Sequence, residues 1–165
     1  MKVLAIDAST KSTGVALFED TKLIKYDCLT ASSTDLIKRI QKIIKELNEF
    51  LNNEKIDKVI LEEVRPEQGL QNIKTHRALM WLQAAIAFLL HEIQPKAEIE
   101  YVYPSSWRAK CGIKNGRGVR RKMIKELDIA FVKEEYLIDV NDDVADAIGI
   151  GHAYVHQLDN EMNWE

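Results

Sequence analysis

Two apolar runs in this chain stop abruptly at a carboxylate. Val3-Leu4-Ala5-Ile6 runs into Asp7, and Val59-Ile60-Leu61 runs into Glu62. Short apolar runs of this kind suit buried strands. An acid at the end of such a strand is expensive to desolvate unless water, a hydrogen bond or a cation meets it. Side chains alternate along a strand, so Glu62 and Glu63 are expected on opposite faces, with only one of them sharing a site with Asp7.

The remaining elements can be placed by period. Gly14–Phe18 and Leu23–Tyr26 read as the second and third strands of a hairpin series, with Asp20 in the turn between them. Leu36, Ile40, Ile43, Ile44 and Leu47 fall on one helical stripe, with Ser33 or Thr34 as the cap and Asn52-Asn53 as the stop. Pro66 and Gly69 mark a loop over 65–72. A helix over 73–93 follows, apolar nearly all round between Ala78 and Leu90. Such a helix needs cover on more than one side, from another helix of the chain or from a partner subunit. Ile99–Tyr103 reads as a fifth strand stopped by Pro104, and Phe131–Val140 as a connecting stretch. A final helix is expected from near Asp142 to about Gln157. These elements predict an α/β fold, a five-stranded mixed sheet flanked by helices, in one domain over 1–158 with a tail at 159–165.

Composition excludes several classes. The chain has 165 residues, 46% of them hydrophobic and 30% charged. That suits a soluble globular domain able to bury a real core. The N-terminus passes straight into a strand pattern with no signal peptide, and no apolar stretch is long enough to span a bilayer, so a cytoplasmic protein is expected. Cys28 and Cys111 lack metal or redox spacing and read as reduced thiols. The net charge is −3, yet 106–125 holds Arg108, Lys110, Lys114, Arg117, Arg120, Arg121, Lys122 and Lys125 and no acid. A patch this concentrated contacts phosphates by charge, without reading sequence.

The final helix carries the third acidic feature. Asn141 or Asp142 is the expected N-cap, and Val144, Ala147, Ile148 and Gly151 give an apolar or small face. Asp143 and Asp146 then project from one side of the first turn. If the first and fourth strands are neighbours and this helix crosses them, Asp7, Glu62, Asp143 and Asp146 meet. Four hard oxygen donors suit two magnesium ions roughly 3.5–4 Å apart, or manganese in their place, as in nucleases that cut phosphodiesters by in-line attack.

Three segments resemble the signature segments of the RuvC-type Holliday junction resolvases, members of the RNase H-like superfamily. They are Val3–Ser9 with Thr13–Ala16, Ile60–Val64, and Asp143–Ile148. Pro104-Ser105-Ser106-Trp107-Arg108 is similar to phage-type members. The resemblance runs over almost the whole chain. It implies an RNase H-like fold, a homodimer, magnesium dependence and symmetric nicks across a four-way DNA junction, with forks as a further substrate. Asp7, Glu62, Asp143 and Asp146 match the family's metal-binding catalytic acids. Typical resolvases follow the strand-four acid with a glutamine, a valine and an aromatic that reaches the junction centre. Here Glu63, Val64 and Arg65 stand there, making Arg65 a candidate charge contact. Lys74, Arg108, Lys110, Lys114, Arg117, Arg120 and Arg121 complete the expected DNA-binding set. Met80, Trp81 and Phe88 on the over-apolar helix offer a self-complementary dimer surface. His152 is expected to be structural or exposed. The rivals are an RNase H-like nuclease acting on ribosomal RNA precursors, an actin-like nucleotide-binding domain suggested by the loop Asp7–Gly14, and a catalytically silent DNA-binding module.

Overall fold

The first strand becomes the middle of the sheet. β1 (Lys2–Asp7) pairs antiparallel with β2 (Ser12–Glu19) and parallel with β4 (Lys58–Glu62). β3 (Lys22–Thr30) lies outside β2, and β5 (Glu98–Val102) lies outside β4, giving the order β3-β2-β1-β4-β5. The structure, a computed structural model, describes residues 1–64 and 73–162. The parallel register pairs Ile6 with Leu61, so Asp7 and Glu62 end adjacent strands at the same edge of the sheet.

Both faces of the central strands are buried, which is why they read as continuous apolar runs. Leu4, Ile6, Val15, Leu17, Val59 and Leu61 face one layer, made by α1 (Leu36–Leu51) and α2 (Ile73–Ile93). Val3, Ala5, Ala16, Phe18 and Ile60 face the other, made by α3 (Pro104–Lys110), α4 (Arg121–Tyr136) and α5 (Asp142–Met162).

α1 forms as its stripe requires. Ile40, Ile43, Leu47, Phe50 and Leu51 are buried, each contributing on the order of 2 kcal/mol by leaving water. Its cap is Asp35, whose carboxylate accepts from the backbone N–H groups of Ile37 and Lys38, rather than Ser33 or Thr34. Those two instead offer their carbonyls to Arg39. Asn52, at φ 44°, takes the left-handed conformation that ends the helix.

Three expectations are revised. The stretch 131–140 is no simple connection, because α4 runs on through Tyr136. Mixed charges obscure its apolar side, where Val132 is buried and Phe131 packs edge-on against His152 of α5. The basic run is divided between α3, α4 and the segment joining them, where Gly112 and Gly118 take φ of +72° and +87°. α5 continues to Met162, past the expected stop at Gln157.

α2 buries one stripe, Leu82, Gln83, Ile86 and Leu90. Met80, Trp81 and Phe88 on its other side are 45%, 46% and 81% exposed, so no described part of the chain supplies the second cover. No described helix is long and apolar enough to cross a membrane.

α5 lies very close to the sheet. A Cβ on Gly14 of β2 would stand 1.9 Å from the carbonyl oxygen of Asp143. A Cβ on Gly151 would meet the Phe18 ring at 2.2 Å. The small-residue face read from the sequence is therefore the seat of this helix. Gly14→Ala is expected to lower unfolding free energy by about 1–3 kcal/mol, because backbone, not a flexible side chain, must move. Urea denaturation measures it.

Candidate active site

The N-terminus of α5 is pinned from two sides. Asn141, one of the two candidate caps, is the one used: its Oδ1 accepts from the backbone N–H of Val144 at 2.9 Å. Its Nδ2 also reaches Cys28 Sγ on β3 at 3.3 Å. Ser12 Oγ on β2 donates to Asp143 Oδ2 at 2.5 Å. Cys28 and Cys111 are both free thiols.

With the helix so placed, Asp7, Glu62, Asp143 and Asp146 line one cleft. Glu63 borders it too, contrary to the expected opposite-face arrangement, because regular strand alternation ends at Glu62. Each of three acids has a protein partner. Glu62 Oε2 accepts from Trp107 Nε1 at 2.8 Å, Asp143 from Ser12, and Asp146 Oδ2 from Lys125. Among the described residues no three acids, histidines or cysteines close around a single point as a metal cage. The acids share a cleft while Glu62, Asp143 and Asp146 are each drawn toward a partner of their own.

Charge crowding dominates the electrostatics. Burial pushes Asp7 well above the usual carboxylate range, and Glu62, Asp146 and Asp143 push it further while Lys125 opposes. Glu62 is raised by burial, against the Trp107 hydrogen bond. Asp143 is raised by burial, against Ser12. Asp146 is raised to about 7 by burial and by Asp128 beside it, against Lys125. Burial disfavours the Lys125 ammonium, but Asp146 and Asp7 outweigh it, so the lysine stays protonated.

The donor set fits divalent cations. Carboxylates with raised proton affinity, facing one another, gain most from a hard cation. Asp146 Oδ1 supplies a direct sign: it is buried and lacks a hydrogen-bond partner.

The basic residues divide into two groups. Lys74, Lys110, Lys114, Arg117, Arg120 and Arg121 are exposed, and Arg121 borders the cleft. Arg108 departs from the expected phosphate contact. It is 8% exposed and grips Asp128 through three hydrogen bonds of 2.8–3.0 Å, with Nη2 at 3.5 Å from Asp146. Arg65 lies outside the described residues. The sequence puts Lys125 only in the basic run and Trp107 only in the Pro104–Arg108 segment, and it passes over Asp128 altogether. The usable signal was the i,i+3 spacing of Lys125 and Asp128, which puts both on one helical face. His152 is structural: its Nδ1 lies 2.7 Å from the Tyr136 hydroxyl, and burial, then His156, lowers its pKa to about 4.

The fold is shared with solved structures of Holliday junction resolvases. The structure of Thermus thermophilus RuvC in complex with a Holliday junction substrate matches with a TM-score of 0.73 at 16% identity, covering 98% of this chain and 96% of that one. The yeast mitochondrial Holliday junction resolvase Ydc2 matches at 0.60 with 19% identity, over 98% and 82%. The fowlpox virus resolvase with its Holliday junction DNA matches at 0.55 with 17% identity, over 94% and 99%. No protein-family model and no curated protein sequence matches the chain.

A carboxylate with raised pKa in the folded state favours folding when protonated, and that contribution is lost as pH rises from the unfolded value to the folded one. Asp7→Asn is therefore expected to stabilise the metal-free protein by about 1 kcal/mol near pH 8. The gap should close toward about pH 4, where wild-type Asp7 also carries its proton. Urea denaturation in a chelator at the two pH values checks it.

Proposed function

We propose that this chain is a divalent-metal-dependent endonuclease that resolves four-way DNA junctions by paired symmetric nicks. One observation carries the reading. Four acids from three separate elements, Asp7, Glu62, Asp143 and Asp146, line a single cleft rimmed by Arg121, in a fold matched over nearly its full length by junction resolvases. Linear DNA carries phosphates as well, so the acids speak for cleavage and the shared architecture for the branched substrate.

Asp7, Glu62, Asp143 and Asp146 would hold two magnesium ions, with manganese able to substitute. Bound there, such ions would supply Lewis acidity toward water and the phosphodiester oxygens. The chain's own residues do the rest. Arg121 and its exposed neighbours Arg120, Arg117 and Lys114 attract the phosphate backbone toward the cleft. Lys110 and Lys74 extend the basic surface. Arg65, outside the described residues, stays a candidate charge contact on sequence grounds alone. Within 106–125, Arg108 and Lys125 have acid partners and Lys110 donates to the Gln157 side chain among the described residues, which leaves the other bases as the first candidates for DNA.

The chain acts as a homodimer in this reading. A four-way junction has near two-fold symmetry, and an isologous dimer places two identical clefts on it. The uncovered side of α2 supports Met80, Trp81 and Phe88 as the interface, since side chains this apolar and exposed gain most from a second copy.

Labelled four-way, three-way, forked and linear DNA, and a structured RNA, incubated with and without magnesium, test the substrate. Paired nicks in the four-way junction, only with metal, are expected. Preferential cleavage of RNA would instead favour a nuclease of RNA precursors. Asp7→Asn should reduce nicking at least ~100-fold while junction affinity in gel-shift assays holds or rises, because one repulsive charge near the phosphates is gone. Trp81→Glu and Phe88→Glu should each shift the sedimentation profile from dimer toward monomer. An unchanged dimer in both would place the interface elsewhere.

A further inference from the structure

The short helix α3 touches the cleft acids from behind. Pro104 occupies its first turn, and the helix spans Pro104–Lys110. Two consecutive residues, Trp107 and Arg108, are buried at 1% and 8% exposure. Neighbours on a helix diverge by about 100°, so one can reach β4 while the other reaches α4 and α5.

The contacts follow that divergence. Trp107 Nε1 donates to Glu62 Oε2 at 2.8 Å. Its ring fills a slot against Gly149, where a Cβ would stand 2.5 Å from the indole. Arg108 Nε lies 3.0 Å from both carboxylate oxygens of Asp128, and its Nη2 lies 2.8 Å from Asp128 Oδ2 and 3.5 Å from Asp146 Oδ2. The guanidinium carbon sits 4.5 Å from the Trp107 ring centroid, so the two side chains stack on each other. One acid from β4 and one from α5 are thereby tied to a single rigid unit.

We infer that Trp107 and Arg108 are positioning residues that set the places of Glu62 and Asp146, so that this pair tunes divalent-cation affinity while its own side chains meet neither metal nor DNA. This rests on the metal-dependent nuclease reading. The chemistry of each residue suits the role. Indole is a donor only, so its N–H fixes one oxygen of Glu62 and leaves the other to face the cleft's ligands. A forked guanidinium fixes Asp128 in plane, which a lysine would not do. Groups that orient metal ligands typically change affinity 10–100-fold when removed.

The test is calorimetric titration of the metal-free protein with Mn2+, for wild type, Trp107→Phe and Arg108→Lys. Phenylalanine keeps an aromatic ring but loses the donor, along with the outer indole edge that packs on Gly149. Affinity is expected to fall about 10–100-fold in each variant, titrated below that variant's own melting transition. In the wild type, the indole N–H resonance that vanishes in Trp107→Phe should shift on Mg2+ titration. Variant affinities within about two-fold of a wild type that binds Mn2+ would overturn the positioning role alone. A wild type that binds no Mn2+ would overturn the nuclease reading itself. Should Trp107→Phe not fold, Arg108→Lys decides by the same criterion.

Discussion

The close seating of α5 on the sheet is the constraint from which the cleft follows. Parallel pairing of β1 with β4 sets Asp7 beside Glu62, but that makes only half a site. The other half depends on how near the helix carrying Asp143 and Asp146 can come. Gly14 removes the side chain that would collide with the helix backbone, and Ala5 and Ala16 keep the sheet surface low beneath it. Ser12 and Asn141 then lock the first turn by hydrogen bonds, which are directional where packing is not. Bulk at position 14 would move both aspartates together.

That geometry has an electrostatic cost. Acids brought together and partly desolvated all shift toward their neutral forms, which means the folded chain resists their ionisation. Lys125, Arg108, Ser12 and Trp107 return part of the cost. The buried Arg108–Asp128 pair is weak evidence for added stability, since desolvation offsets much of its attraction. Its geometric effect, holding one side of Asp146, is the better account of its presence. Sites of function are where local rules of burial are broken.

Much of this was legible in the sequence because the central strands are buried on both faces and announce themselves as apolar runs. The stripe of α1 and the small face of α5 were equally plain. The acids stood out because each closes an apolar segment or opens a helix. Other features were hidden for physical reasons. Counting charge along 106–125 treats the stretch as a line, whereas folding turns Arg108 and Lys125 inward and leaves their neighbours in solvent. The partner of Arg108, Asp128, lies beyond the basic run and shares no motif with it. Glu63 was misplaced because alternation holds only while the strand lasts. Asp35 went unnoticed as a cap because Ser33 and Thr34 precede it and are equally good by type.

The two outer strands have a consequence of their own. Among the described residues β5 has no strand partner on its outer side, a template on which another sheet could grow. Glu98 and Glu100 stand along it with Lys58 between them, two acids to one base. A second copy approaching strand to strand would meet its own negative charge. This rim of the sheet is thus guarded against runaway stacking.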